Sequence, residues 1–168
     1  MKKYSTTKPK VNVVQDPSVV YGFQNNNFDT IRWILGGDKV IKYPINNEID
    51  LMNLSRVGLK KSAIVSVSEF LNISMEKMST ILNISLRTIQ RKGNNELLSS
   101  ASSGLAIEVA EVISKGLEIF GTKENFNVWI NTPLQSLGAK TPLSMLDTTI
   151  GTKYILKELG RLEHGVYS

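Results

Sequence analysis

Residues 74–92, Ser-Met-Glu-Lys-Met-Ser-Thr-Ile-Leu-Asn-Ile-Ser-Leu-Arg-Thr-Ile-Gln-Arg-Lys, constrain the fold more than any other stretch, because they read as two short helices joined by a tight turn. Ser74 and Ser85 each stand just before a helical pattern, where a hydroxyl oxygen accepts a hydrogen bond from a free N–H of the first turn. Asn83 falls where the chain must reverse, and Asn tolerates the left-handed conformation better than any residue except Gly. Small Ser79 and β-branched Ile89 occupy the offsets a helix-turn-helix needs: a small residue where the helices touch and an apolar anchor in the second helix. That second helix is left free to enter a groove.

Its outward positions suit the task. Ser85, Arg87, Thr88, Gln90, Arg91 and Lys92 offer hydroxyl, guanidinium, amide and ammonium groups to phosphates and base edges, and no acidic side chain occurs from 77 to 95. The competing reading makes the same residues the solvated face of an ordinary helix, since many helical pairs share this spacing. Charge favours the first. The net charge is +5, and residues 1–93 carry fourteen Lys and Arg against seven Asp and Glu, whereas residues 94–168 carry six against eight. The cationic half holds the two-helix unit, as the footprint for a polyanion requires, and the other half points to a different partner.

The remaining chain divides around this unit into an all-α protein. Residues 1–48 form an N-terminal extension, polar and interrupted by Pro9 and Pro17 through its first part, and expected to be loosely structured. Within it, Phe28, Ile31, Trp33 and Leu35 show no clean period before Gly36-Gly37, and Val40, Ile41 and Tyr43 ahead of Pro44 suggest a short strand. Residues 49–93 form the helix-turn-helix DNA-binding region. Leu51, Leu54 and Val57 with Gly58 behind them give a short helix, and Ile64, Val65, Val67, Phe70 and Leu71 a supporting one. Residues 94–168 form a second helical domain. Leu105, Val109, Val112, Ile113, Leu117 and Phe120 recur at helical spacing up to Gly121, and Phe126, Trp129 and Ile130 mark a further helix capped by Thr122. Thr141-Pro142 starts a short helix through Leu146, and Ile150, Tyr154, Ile155, Leu159 and Leu162 define the last apolar stripe.

Little in the chain supports catalysis. It has no cysteine, the single histidine His164, no glycine-rich phosphate loop and no carboxylate pair in a cleft-forming context, so no enzyme activity, cofactor or metal is expected. The basic leader has no apolar run behind it and no window of about 18 apolar residues follows, which points to the cytoplasm and away from membranes.

At the C-terminal end the residues carry a family resemblance. Trp129-Ile130-Asn131-Thr132-Pro133, Leu137-Gly138, Thr141-Pro142-Leu143-Ser144-Met145-Leu146 and Leu159-Gly160-Arg161-Leu162-Glu163-His164-Gly165-Val166-Tyr167-Ser168 resemble the signature of the Xre/MbcA/ParS-like antitoxins. The order Gly58-Leu59, Leu82 to Arg91, and Phe120-Gly121 is similar to it as well, so the resemblance covers roughly residues 56–168. Ala139-Lys140 stands where the family pattern has Gly-Gly or Gly-Arg. The resemblance implies a homodimeric antitoxin of a type II toxin–antitoxin system. It further implies a cognate RES-domain toxin that consumes NAD, blocked by the C-terminal region, and repression of the shared operon through operator DNA. Arg161, Glu163, His164, Val166, Tyr167 and Ser168 are the expected toxin contacts: a chain end can enter a cleft that a folded surface cannot, and Tyr167 brings contact area at low entropic cost. The alternative is a DNA-binding regulator or partition-type protein whose C-terminal half only dimerises.

Overall fold

Helix α7 (Ser100–Phe120) is the axis of the fold. Ser99 starts it by accepting from the Ser102 amide, and Gly121 stops it in a left-handed conformation at φ 73°. Its apolar residues are not confined to one stripe: Ala106, Ile107, Val109, Ala110, Val112, Ile113 and Leu117 are all buried. A helix apolar over so much of its circumference must be surrounded, and the flanking helices supply that cover. These are α1 (Asn27–Ile34), α3 (Glu48–Val57), α4 (Lys61–Phe70), α8 (Lys123–Asn131) and α9 (Thr149–Glu163), each packed against α7. The computed structural model describes residues 27–165, so the expectations placed on residues 1–26 and on Val166, Tyr167 and Ser168 lie outside the described residues.

Two close approaches fix how the C-terminal helices sit. A side chain at Gly116 would put its Cβ 2.2 Å from the ring of Phe126, so the missing side chain on α7 is the seat of the fully buried aromatic from α8. At Gly151 a Cβ would lie 1.9 Å from the Met145 carbonyl oxygen, which ties the first turn of α9 to the segment before it. That segment begins at Thr141, whose hydroxyl accepts from the Ser144 amide, and Pro142–Met145 forms a single tight 3-10 turn.

The all-α expectation holds across the described residues. The short strand expected at Val40, Ile41 and Tyr43 does not form. Val40 ends the four-residue helix α2 (Gly37–Val40), and the Ile41 amide closes that helix by donating to Gly37 O at 2.9 Å. The carbonyl of Ile41 is occupied by the Arg32 guanidinium at 2.9 Å, so neither polar group of Ile41 is open to a ladder. The stretch at 28–35, which shows no clean period, lies in helix α1 up to Ile34, with Leu35 in the turn that follows. Ile31, Ile34 and Leu35, followed by Ile41 and Ile45, are buried in the same core as the later helices, so the part of the N-terminal extension beyond residue 26 is built into the body.

Candidate nucleic-acid interface and C-terminal surface

The two-helix unit is assembled as its residues dictate. In α5 (Met75–Ile81) the Ser74 hydroxyl accepts from the Lys77 amide at 3.2 Å, and Met78, Ser79 and Ile81 are buried. Asn83 takes the left-handed conformation at φ 51°, and the Ile84 amide then reaches back to Ser79 O at 3.1 Å. Helix α6 (Leu86–Arg91) begins on Ser85, whose Oγ accepts from the Thr88 amide at 3.0 Å and lies 2.7 Å from the Thr88 hydroxyl. Ile89 is only 2% exposed and is the buried apolar position of α6, which packs against α5.

The six residues singled out for DNA contact then separate by their surroundings. Arg87, Gln90 and Arg91 are exposed, and Ser85 and Thr88, also exposed, are engaged with each other at the start of the helix. Lys92 is half-buried at the C-cap, in extended backbone outside the helix, and its ammonium donates to Leu97 O at 2.7 Å. Its own carbonyl accepts from the Lys61 ammonium at 2.8 Å, so Lys92 also fastens the end of α6 to the start of α4.

The C-terminal surface ends on α9. Thr148 caps it by accepting from the Gly151 amide at 3.1 Å, and Gly151, Thr152, Ile155, Glu158 and Leu159 face inward. Arg161 and Glu163 do not face each other. Arg161 donates to Glu158 at 2.8 Å, which supplies the charge that a carboxylate only 7% exposed requires. Glu163 pairs with Lys115 of α7 at 2.7 Å, and the same ammonium reaches Glu118 at 3.1 Å. The hydrogen bond from Lys115 holds the Glu163 carboxyl below the ordinary Glu range. Burial opposes charge on Lys115, yet its bonds to Glu163 and Glu118 outweigh that and raise its pKa. His164 is exposed at the C-cap, its amide donating to Gly160 O at 3.3 Å, and Gly165 turns the chain at φ 69°. A shallow groove lined by Glu118, Ile119, Phe120, Leu162 and Glu163 lies beside this end.

Three contributors escape sequence reasoning. Glu158 was legible in principle, three residues before Arg161 on one helix. Lys115 was not, because its partner Glu163 lies 48 positions on, and neither was the hydrogen bond from Asn83 Nδ2 to Asp147 O at 2.8 Å.

A helix-turn-helix pair on an all-α body, followed by a helical C-terminal unit, defines the class of protein. Residues 50–111 match the antitoxin Xre-like helix-turn-helix domain, and residues 115–165 match the antitoxin Xre/MbcA/ParS C-terminal toxin-binding domain. The chain belongs to the Xre/MbcA/ParS antitoxin family. Among similar proteins, Antitoxin Xre of Photorhabdus laumondii is 25% identical over 133 residues, covering 77% of this chain and 89% of that protein. The Prs ADP-ribosylating antitoxin of a Sphingobium species is 23% identical over 130 residues, covering 71% and 82%. The crystal structure of the MbcT-MbcA toxin-antitoxin complex of M. tuberculosis contains a chain similar at a TM-score of 0.48 and 20% identity, covering 64% of this chain and 96% of that one.

Proposed function

We propose that this antitoxin neutralises a RES-type, NAD-consuming toxin through its C-terminal region, and that it represses its own operon as a dimer by placing α6 on operator DNA. It acts by contact and carries out no chemistry. The observation that carries the reading is the order of two matched domains in one chain, the helix-turn-helix at 50–111 and the toxin-binding domain at 115–165. Two features support it. The cations Arg87 and Arg91 stand exposed on a helix whose cap and anchor are complete without them. The last turn of α9 is pinned by Arg161–Glu158 and Glu163–Lys115, so whatever follows Gly165 starts from a fixed point. A relative named for ADP-ribosylation, a transfer that draws on NAD, favours that substrate for the toxin.

Deleting residues 166–168 tests the toxin half of the proposal without disturbing these ion pairs. In cells expressing the neighbouring toxin gene, the shortened protein should lose rescue while keeping the thermal midpoint of the full chain. Full rescue by the shortened protein would remove the chain end from the toxin contact.

A further inference from the structure

Helix α3 is apolar on two opposite faces. Leu51 and Leu54 are buried on the side packed against α7. On the other side Ile49, Met52 and Val57 are exposed, Ile49 at 63% and Val57 at 64%. Their spacing puts them on one stripe of the helix, away from the buried pair. Leu97 continues the patch past the end of α3: it is exposed, and a Cβ at Gly58 would stand 3.4 Å from the Leu97 Cβ. Apolar side chains scattered singly over a surface need no explanation. Four that adjoin, on a helix whose opposite face is already buried, mark a contact surface.

The charges flanking the stripe say what covers it. Glu48 stands at the N-terminal end of α3 and Arg56 at the C-terminal end, both exposed, and neither is in an ion pair among the described residues. They lie about 12 Å apart along the helix axis, with Met52 midway between them. A helix with an acid at one end, a base at the other and apolar residues between is complementary to itself turned end for end. Two copies crossing antiparallel, with a two-fold axis at Met52, set each Glu48 against the other copy's Arg56 and each Ile49 beside the other's Val57. The acidic end is short of cations. Burial, then Glu108, then Glu48 push the Glu111 carboxyl of α7 above the ordinary Glu range, and none of these three carboxylates is ion-paired among the described residues.

We propose that this outward face of α3, extended by Leu97, is where a second copy of the chain docks, antiparallel about a two-fold axis at Met52. The interface deepens the functional reading above and rests on it only for what the dimer does. Leu97 O accepts from the Lys92 ammonium at the end of α6, so the patch adjoins the DNA-reading helix, and a two-fold axis here relates two α6 helices as a palindromic site requires.

The test is sedimentation velocity on the full-length chain alone, over a range of micromolar concentrations. Wild type should be a dimer. Met52→Glu, which sets two carboxylates together at the axis, should be a monomer with unchanged helical circular dichroism. Glu48→Arg and Arg56→Glu each put like charges at both ends of the interface, and each alone should weaken the dimer by about five- to thirtyfold. Mixed in equal amounts, the two single variants recover both opposite-charge pairs, so the mixture should form heterodimers with close to wild-type affinity. No effect confined to one chain's folding produces that rescue. A wild type that stays monomeric overturns the proposal, and loss of toxin rescue in Met52→Glu would then give the face to the toxin. A Met52→Glu chain that still dimerises overturns it as well, as does a mixture that associates no more tightly than its components. A dimer that passes each of these measurements and binds no duplex from upstream of its coding sequence upholds the interface and overturns only α6 as the DNA contact.

Discussion

Ala139 adopts φ 61° directly after Gly138 at φ 63°, in the loop closed by the Leu134 amide on Lys140 O at 3.0 Å and the Ala139 amide on Leu134 O at 2.9 Å. Two successive left-handed residues are easy for Gly-Gly and costly for Gly-Ala, because an L side chain crowds its own carbonyl there by about 1–2 kcal/mol. Glycine is therefore the residue this backbone favours at 139, and Ala139 takes the strain in an exposed loop. Ala139→Gly should stabilise the protein by about 0.5–1 kcal/mol, the relieved strain less the entropy a glycine loses on folding. For a domain of this size that is a rise of about 1–4 °C in thermal midpoint, and a fall would show that Ala139 makes packing contacts outweighing its strain.

Helix α6 is six residues long and has no stability of its own; caps and anchor make it. Ser85, Asn83, Ser79 and Ile89 could all be read from the sequence because each role is local: a cap, a reversal, a close approach, a buried knob. What the helix does with its outward residues is not local, and it yields to measurement. Arg87→Ala combined with Arg91→Ala should weaken duplex binding and flatten its dependence on salt by roughly two units of log–log slope, one for each phosphate left without its arginine. An unchanged slope in a titration across salt concentrations would move the DNA interface elsewhere. Helix α1 shows the converse of legibility. Its inward set, Thr30, Ile31 and Ile34, includes a polar residue, and Trp33 stays 38% exposed, its ring centroid 5.3 Å from that of Phe70 in a T-shaped arrangement. Hydrophobicity alone therefore gave no period, because one of the largest apolar side chains rests on a neighbour at the surface. Glu163 of α9 was likewise visible as a residue but not as half of a pair, since Lys115 reaches it only once α7 and α9 lie side by side.

The two family matches meet between residues 111 and 115, in the middle of α7, so the boundary between the halves is a continuous helix and not a linker. The buried residues on either side, from Ile31 to Leu159, form one hydrophobic cluster. Breaking α7 anywhere would uncover apolar faces of α1, α3, α8 and α9 together, so the described body should unfold as one cooperative unit. The chain carries two tryptophans, and they fall in opposite halves. Trp33 on α1 lies against Phe70, while Trp129 on α8 sits among Phe120 and Phe126, with ring centroids 5.3 and 6.2 Å away. Trp33→Phe leaves a reporter of the toxin-binding half and Trp129→Phe a reporter of the helix-turn-helix half. In each variant the fluorescence transition in urea should coincide with that of the helical circular dichroism, because each probe follows the same event. If either fluorescence transition separates from its own dichroism curve, the halves unfold independently, and α7 is then a joint between two bodies that happen to share a helix.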